Sequence, residues 1–215
     1  EKPLSEITKK IASVVNIYDL MDVPLQLHCD PEYFSLNTKQ KQLIKEAYDP
    51  LPIVRYTLQH EIENGILIGH EYRDNIIIDC DKNERLLSLV KENKKIAIVC
   101  RYNLQIDSIK DILEKEGYCP LVIRGDVKDR DIVTRTANDS KECIVLIQAD
   151  CAEGYELPSF ELCIFMSMSY SYVKYEQICG RFLRMNKPSR TTFIYLLTDG
   201  ESMDQAVYDS IKRKE

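Results

Sequence analysis

Gln177-Ile178-Cys179-Gly180-Arg181-Phe182-Leu183-Arg184 sets two arginines three apart behind a glycine, with a glutamine one turn earlier. The apolar spacing around it predicts a helix over Val173–Arg184. On a helix Gln177, Arg181 and Arg184 fall at i, i+4 and i+7 and share one face. Two guanidiniums and an amide converging on one point suit a triphosphate, whose transferring group spreads charge over several oxygens. The alternative for such a pattern taken alone is a solvated basic face. What lies upstream decides between them.

From Lys95 onward, short apolar runs alternate with amphipathic stretches. Strands are expected at Ile96–Cys100, Leu121–Ile123, Cys143–Ile147, Leu162–Met166 and Thr192–Leu197. Helices are expected at Asp81–Glu92, Leu104–Lys115, Asp129–Ala137 and Met203–Lys214, besides the one carrying the arginines. Strands without polar alternation are covered on both faces, and strand–helix alternation implies a parallel sheet with right-handed crossovers. Ligands of such sheets bind beyond the carboxyl ends of the strands. The loops Arg101–Asn103 and Gln148–Glu156 fall there.

The first 80 residues read differently. Helices are expected over Ser5–Leu20, Thr38–Tyr48 and Val54–Asn64, and extended chain over Leu25–Cys29 and Glu32–Leu36. Ile66–Tyr72 and Asn75–Cys80 are compatible with a hairpin across Arg73-Asp74. The expected division is a helical and extended segment over 1–80, packing on or linking to an α/β domain over 81–215.

Composition narrows the class. The 215 residues are 44% hydrophobic and 30% charged, as in a globular chain, and no apolar run approaches a membrane span. The chain opens Glu1-Lys2-Pro3 without Met, the beginning expected of a piece cut from a longer chain. Eight cysteines contain no C-x-x-C pair and three histidines have no ligand spacing, so reduced cysteines and no metal site are expected. A formal charge of −6 argues against a nucleic-acid binder that is basic throughout but leaves room for a local basic track.

The opening stretch resembles the Q-x-x-G-R-x-x-R signature, motif VI, of superfamily-two helicases and translocases. Gln148-Ala149-Asp150-Cys151-Ala152-Glu153-Gly154-Tyr155-Glu156-Leu157-Pro158 resembles that family's motif V, and Ile96-Ala97-Ile98-Val99-Cys100-Arg101 its motif IV. Order and spacing are those of the second RecA-like lobe. Phe34–Ile44 and Gly200–Val207 are similar to elements flanking that lobe in Swi/Snf-type translocases. Ile178 and Leu183 depart from the signatures of other helicase groups, and Gln177 fits the glutamine-type members, many of which act on DNA.

The resemblance implies a RecA-like parallel sheet sandwiched by helices, preceded by a smaller, mostly helical insertion. It implies that Arg181, Arg184 and Gln177 serve ATP hydrolysis, and that Gly154, Glu156 and Gly180 lie on the nucleotide side. Arg101, Tyr102, Asn103, Arg124 and Gln148 would line a nucleic-acid track. For Glu156 the alternative is an ordinary surface acid, for Gln148 a strand-end polar residue, and for Arg101 or Arg124 a routine ion pair. Tyr170, Tyr172 and Tyr175 could stack on bases, but packing is the expected role. The sequence holds neither a G-x-x-x-x-G-K-[ST] loop nor an Asp-Glu pair of Walker B type. ATP and Mg²⁺ would therefore be held mainly by an N-terminal RecA-like lobe, and this chain alone would be inactive. DNA is the expected partner, with an RNA helicase lobe or a catalytically silent binding module as alternatives. The expected setting is the cytoplasm, on the nucleoid, or the nucleus in a eukaryote.

Overall fold

A computed structural model describes residues 28–47, 49–69, 74–151, 153–183 and 191–214. Its main sheet contains β1 (His28–Phe34), β4 (Lys95–Cys100), β5 (Leu121–Ile123), β6 (Cys143–Gln148), β7 (Leu162–Phe165) and β8 (Thr192–Thr198). The spatial order is β1-β8-β7-β4-β6-β5, and every pairing is parallel. Strand residues alternate between two apolar cores with period two, as the pleat requires. Ala97, Val99, Val145, Ile147, Phe165 and Tyr195 face one core, which α5 (Arg130–Asp139), α6 (Tyr172–Gly180) and α7 (Met203–Lys212) complete. Ile96, Ile98, Leu146, Ile164 and Leu196 face the other, against α3 (Asp81–Glu92) and α4 (Asn103–Lys115). This is the RecA-like α/β sandwich. The chain runs from β4 to one side of the sheet and returns to β7 on the other, so a crevice opens beyond their carboxyl ends.

The segment before residue 81 contributes in two ways. β1 is an edge strand of the main sheet, where Pro31, which lacks an N–H, is tolerated. Arg85 grips Glu32 with both Nε (2.7 Å) and Nη2 (2.8 Å), tying β1 to α3. The remainder, α1 (Thr38–Glu46), α2 (Pro52–Glu63) and an antiparallel pair β2 (Ile66–Leu67) and β3 (Ile76–Ile77), packs around Leu58, Ile62, Leu67 and Ile78. Asn37 and Gln40 form a reciprocal capping box on α1. Gly65 ends α2 with φ +76°, and a Cβ there would stand 2.9 Å from the Ile78 carbonyl. The expected helix Ser5–Leu20, the stretch before His28 and the tip of the expected hairpin lie outside the described residues.

One element differs from expectation in a way that touches the site. The helix predicted over Val173–Arg184 ends at Gly180. Arg181 and Phe182 turn more tightly, donating to the carbonyls of Ile178 (2.9 Å) and Cys179 (3.1 Å). Two interactions draw the chain off the helix. Phe182 is fully buried, edge-on to Phe193, and the Arg181 carbonyl accepts the Leu157 N–H at 2.9 Å. Gln177 and Arg181 keep their i, i+4 relation because Arg181 is still right-handed helical (φ −73°, ψ −21°). The seven-residue face that was to include Arg184 is not built on one continuous helix, and Arg184 itself lies outside the described residues. Among the described residues no helix is long and apolar enough to cross a membrane.

Candidate functional site

After β6 the chain turns at Gly154, whose φ of +80° is a left-handed conformation that side-chain-bearing residues adopt only with strain. Tyr155 and Leu157 then point into the core and leave Glu156 exposed between them. The result is a cleft of about 390 Å³ lined by Gly154, Tyr155, Glu156, Arg181 and one face of α5. That volume lies in the range of small-molecule sites. The loop after β6 and the residue following α6 thus meet at one place, although a strand and a helix separate them in sequence.

The walls are held by side chains that no sequence pattern singled out. Asn138 donates to the Glu156 carbonyl (2.8 Å), and its own carbonyls are held by Ser159 (2.8 Å) and Lys95 (2.7 Å). Arg130 reaches the carbonyls of Val127 (3.2 Å) and Gly125 (3.3 Å), fixing the loop after β5. Lys174 of α6 pairs with Asp150, linking the loop after β6 to α6 directly. The Tyr155 hydroxyl is buried with no partner among the described residues, and burial pushes its pKa far up, so it stays protonated. Gln177 is exposed on α6. Gly180 is exposed too, and among the described residues a Cβ built there would meet nothing within 4 Å.

The expected nucleic-acid residues collect at the same edge of the sheet but in different states. Arg101 follows β4; its backbone N–H donates to Ser167 Oγ at 2.8 Å, bridging the β4 and β7 loops. Its guanidinium lies 5.2 Å from the centre of the Tyr102 ring, in cation–π range. Tyr102 itself is buried, its hydroxyl 2.7 Å from His60 Nδ1, so the phenol is turned inward. Asn103 opens α4 and is exposed. Arg124 is engaged by Asp107 (2.6 Å) and Asp126 (2.8 Å). Gln148 Oε1 accepts the Gly125 N–H at 3.2 Å and so joins the β5 and β6 loops. Of the three tyrosines, Tyr175 is core, packed on Phe165 and bonded to the Tyr195 hydroxyl (2.7 Å), whereas Tyr170 is 43% exposed.

Residues 81–186 match the helicase conserved C-terminal domain family. With the RecA-like sheet, this match supports a C-terminal lobe of the superfamily-two helicases and translocases. Among solved structures, the C-terminal part of the Fun30 ATPase domain superposes with a TM-score of 0.69 at 13% identity, covering 86% of this chain and 89% of that one. The E. coli DEAD-box protein SrmB, solved bound to regulator of ribonuclease activity A, superposes at 0.51 with 18% identity, covering 62% of this chain and 78% of that one. At such identities the likeness is one of fold. The first match is too extensive to be confined to residues 81–215, so the shared fold continues into the segment before them. No curated protein sequence matches the chain.

Proposed function

We propose that this chain is the second motor lobe of an ATP-dependent DNA translocase or helicase of Swi/Snf type. The observation that carries the reading is the convergence of Gly154, Glu156 and Arg181 on one open cleft. A carboxylate there can accept hydroxyl donors of a ribose, and a guanidinium can meet the charge that develops on a transferring phosphoryl group. The donor set fits one side of a nucleoside triphosphate. On this reading the cradle of backbone N–H groups for the phosphates and the acids for Mg²⁺ would come from an N-terminal RecA-like lobe. Bound ATP-Mg²⁺ would provide the hydrolysable anhydride. Glu156 and Gly154 orient the nucleotide, Gly180 lets the opposite lobe approach closely, and Arg181 and Arg184, with Gln177 beside them, complete the charge complement on closure. Beyond the strand ends, Arg101, Asn103 and Gln148 contact a phosphodiester backbone, with Tyr102 behind them and Arg124 at the flank.

The test is ATP hydrolysis by the intact protein with duplex DNA, single-stranded DNA or RNA of the same sequence. Stimulation by either DNA is expected. Stimulation by RNA alone would move the lobe to the RNA helicases, and no hydrolysis with any of the three would leave a silent binding module.

A further inference from the structure

Behind the Arg101 loop lies a polar cluster that the hydrolytic reading does not use. Asp204, at the start of α7, is 2% exposed. Its carboxylate accepts from Asn64 (2.9 Å), from the Thr198 backbone (3.1 Å) and hydroxyl (2.9 Å), and pairs with Lys82 of α3. Lys82 also donates to Asn64 Oδ1 at 3.1 Å. His60 Nε2 stands 3.2 Å from Asp204 Oδ1, without the alignment of a hydrogen bond, while Nδ1 meets the Tyr102 hydroxyl. Glu63 accepts the Met203 and Asp204 N–H groups, both at 3.0 Å, and so caps α7 from α2. A second line runs from the Asn64 carbonyl through Gln105 (3.3 Å) to Ser167, which accepts from the Arg101 N–H. The charged groups that act on the His60–Tyr102 pair are Asp204, Glu61, Glu63 and Arg101, with Lys82 on the far side of Asp204.

Stability alone does not account for such a cluster. Buried ion pairs gain little over apolar residues of the same shape, because desolvation consumes most of the attraction. What the polar version adds is direction: the hydrogen bond between His60 Nδ1 and the Tyr102 hydroxyl fixes the two rings against each other, and the Asp204 carboxylate sits at the far edge of the His60 ring. Both lines end at Arg101, one on its backbone and one on the ring beneath its guanidinium. The Tyr102 ring is held at its outer end by the hydroxyl and packs on the His60 ring, with centroids 5.6 Å apart.

We propose that His60 and Tyr102 are positioning residues for nucleic-acid binding: the Asp204–His60–Tyr102 line fixes the ring on which the Arg101 guanidinium rests and so aims that charge at a phosphodiester backbone. The helical segment before residue 81 thereby sets the grip of the motif IV loop. This rests on the reading of Arg101 as a phosphate contact.

The experiment measures affinity of the intact protein for labelled duplex DNA, and for RNA of the same sequence, across a salt series, with thermal unfolding of each variant alongside. Arg101→Ala should weaken binding irrespective of sequence and reduce the salt slope by about 1. Tyr102→Phe keeps the ring and removes only the hydroxyl; it should lower affinity and slope in the same direction, and His60→Gln should do likewise. Because they act through Arg101, Tyr102→Phe added to Arg101→Ala should cost nothing further. Folded Tyr102→Phe and His60→Gln proteins with wild-type affinity and slope, or a fully additive double variant, would overturn the proposal while leaving Arg101 as a contact. Unchanged binding by Arg101→Ala would remove both readings. Should Tyr102→Phe fail to fold, His60→Gln decides.

Discussion

Asp204 and Glu63 are buried acids in one network whose environments push them in opposite directions. Burial resists charge on Asp204, but Lys82 and His60 outweigh it and hold the carboxyl well below the usual range. Burial, and then the charge on Asp204, push Glu63 up. A depressed carboxylate stabilises the fold above its unfolded value, about 3.9 for Asp, and loses that contribution as pH falls through its folded value. A raised one contributes below its unfolded value, about 4.3 for Glu, and loses that as pH rises through its folded value. Asp204 should therefore steepen the acid limb. Urea unfolding between about pH 6 and about pH 3 should show a shallower loss of stability for Asp204→Asn than for wild type. Lys82→Met, which strands the carboxylate, should cost about 3–5 kcal/mol near neutral pH. A loss under about 1 kcal/mol would mean that Lys82 contributes little to the fold.

Among elements, the strand-end loops differ in what their arginines are free to do. Arg124 at the end of β5 is held between two carboxylates, whereas Arg101 at the end of β4 rests on a neutral ring. Of the two, Arg124→Ala should weaken nucleic-acid binding less, as fluorescence anisotropy at low salt can measure. An equal or larger loss would show that Asp107 and Asp126 release Arg124 on binding. The strands and helices of this lobe were legible because continuous apolar runs and helical spacing are local signals; Asp81–Glu92 and Leu121–Ile123 agree to the residue. The end of α6 was not. It depends on Phe182 finding Phe193 and on Leu157 reaching the Arg181 carbonyl, contacts that no local periodicity encodes. The same holds for the Asp204 cluster. Lys82 reads as one charge on an amphipathic helix, and its partner lies 122 residues away. Of the cleft, the motif order pointed to Gly154, Glu156 and Arg181. Asn138, which lines it, and Arg130, which holds the adjoining loops, carry no signature of their own.

At the scale of the whole molecule, the proposed function makes this lobe half of a two-part motor. The cleft is open and is lined by the charged residues Asp131, Arg135, Glu156 and Arg181; on the proposed reading a second lobe holds the phosphates and metal in line. Positioning supplies most of the acceleration in phosphoryl transfer, so half a site should give essentially no turnover rather than half the rate. On the proposed function Arg181 and Arg184 act on the transition state from the second lobe. The most direct measurement of this is the steady-state ATPase activity of the intact protein carrying Arg181→Ala or Arg184→Ala, with nucleotide binding measured in parallel. Turnover should fall by roughly 10³ or more for the arginine that meets the γ-phosphoryl group, with ATP affinity nearly intact, so that kcat falls much further than KM rises. Two variants that both hydrolyse ATP within a few-fold of wild type would show that neither arginine serves the transition state.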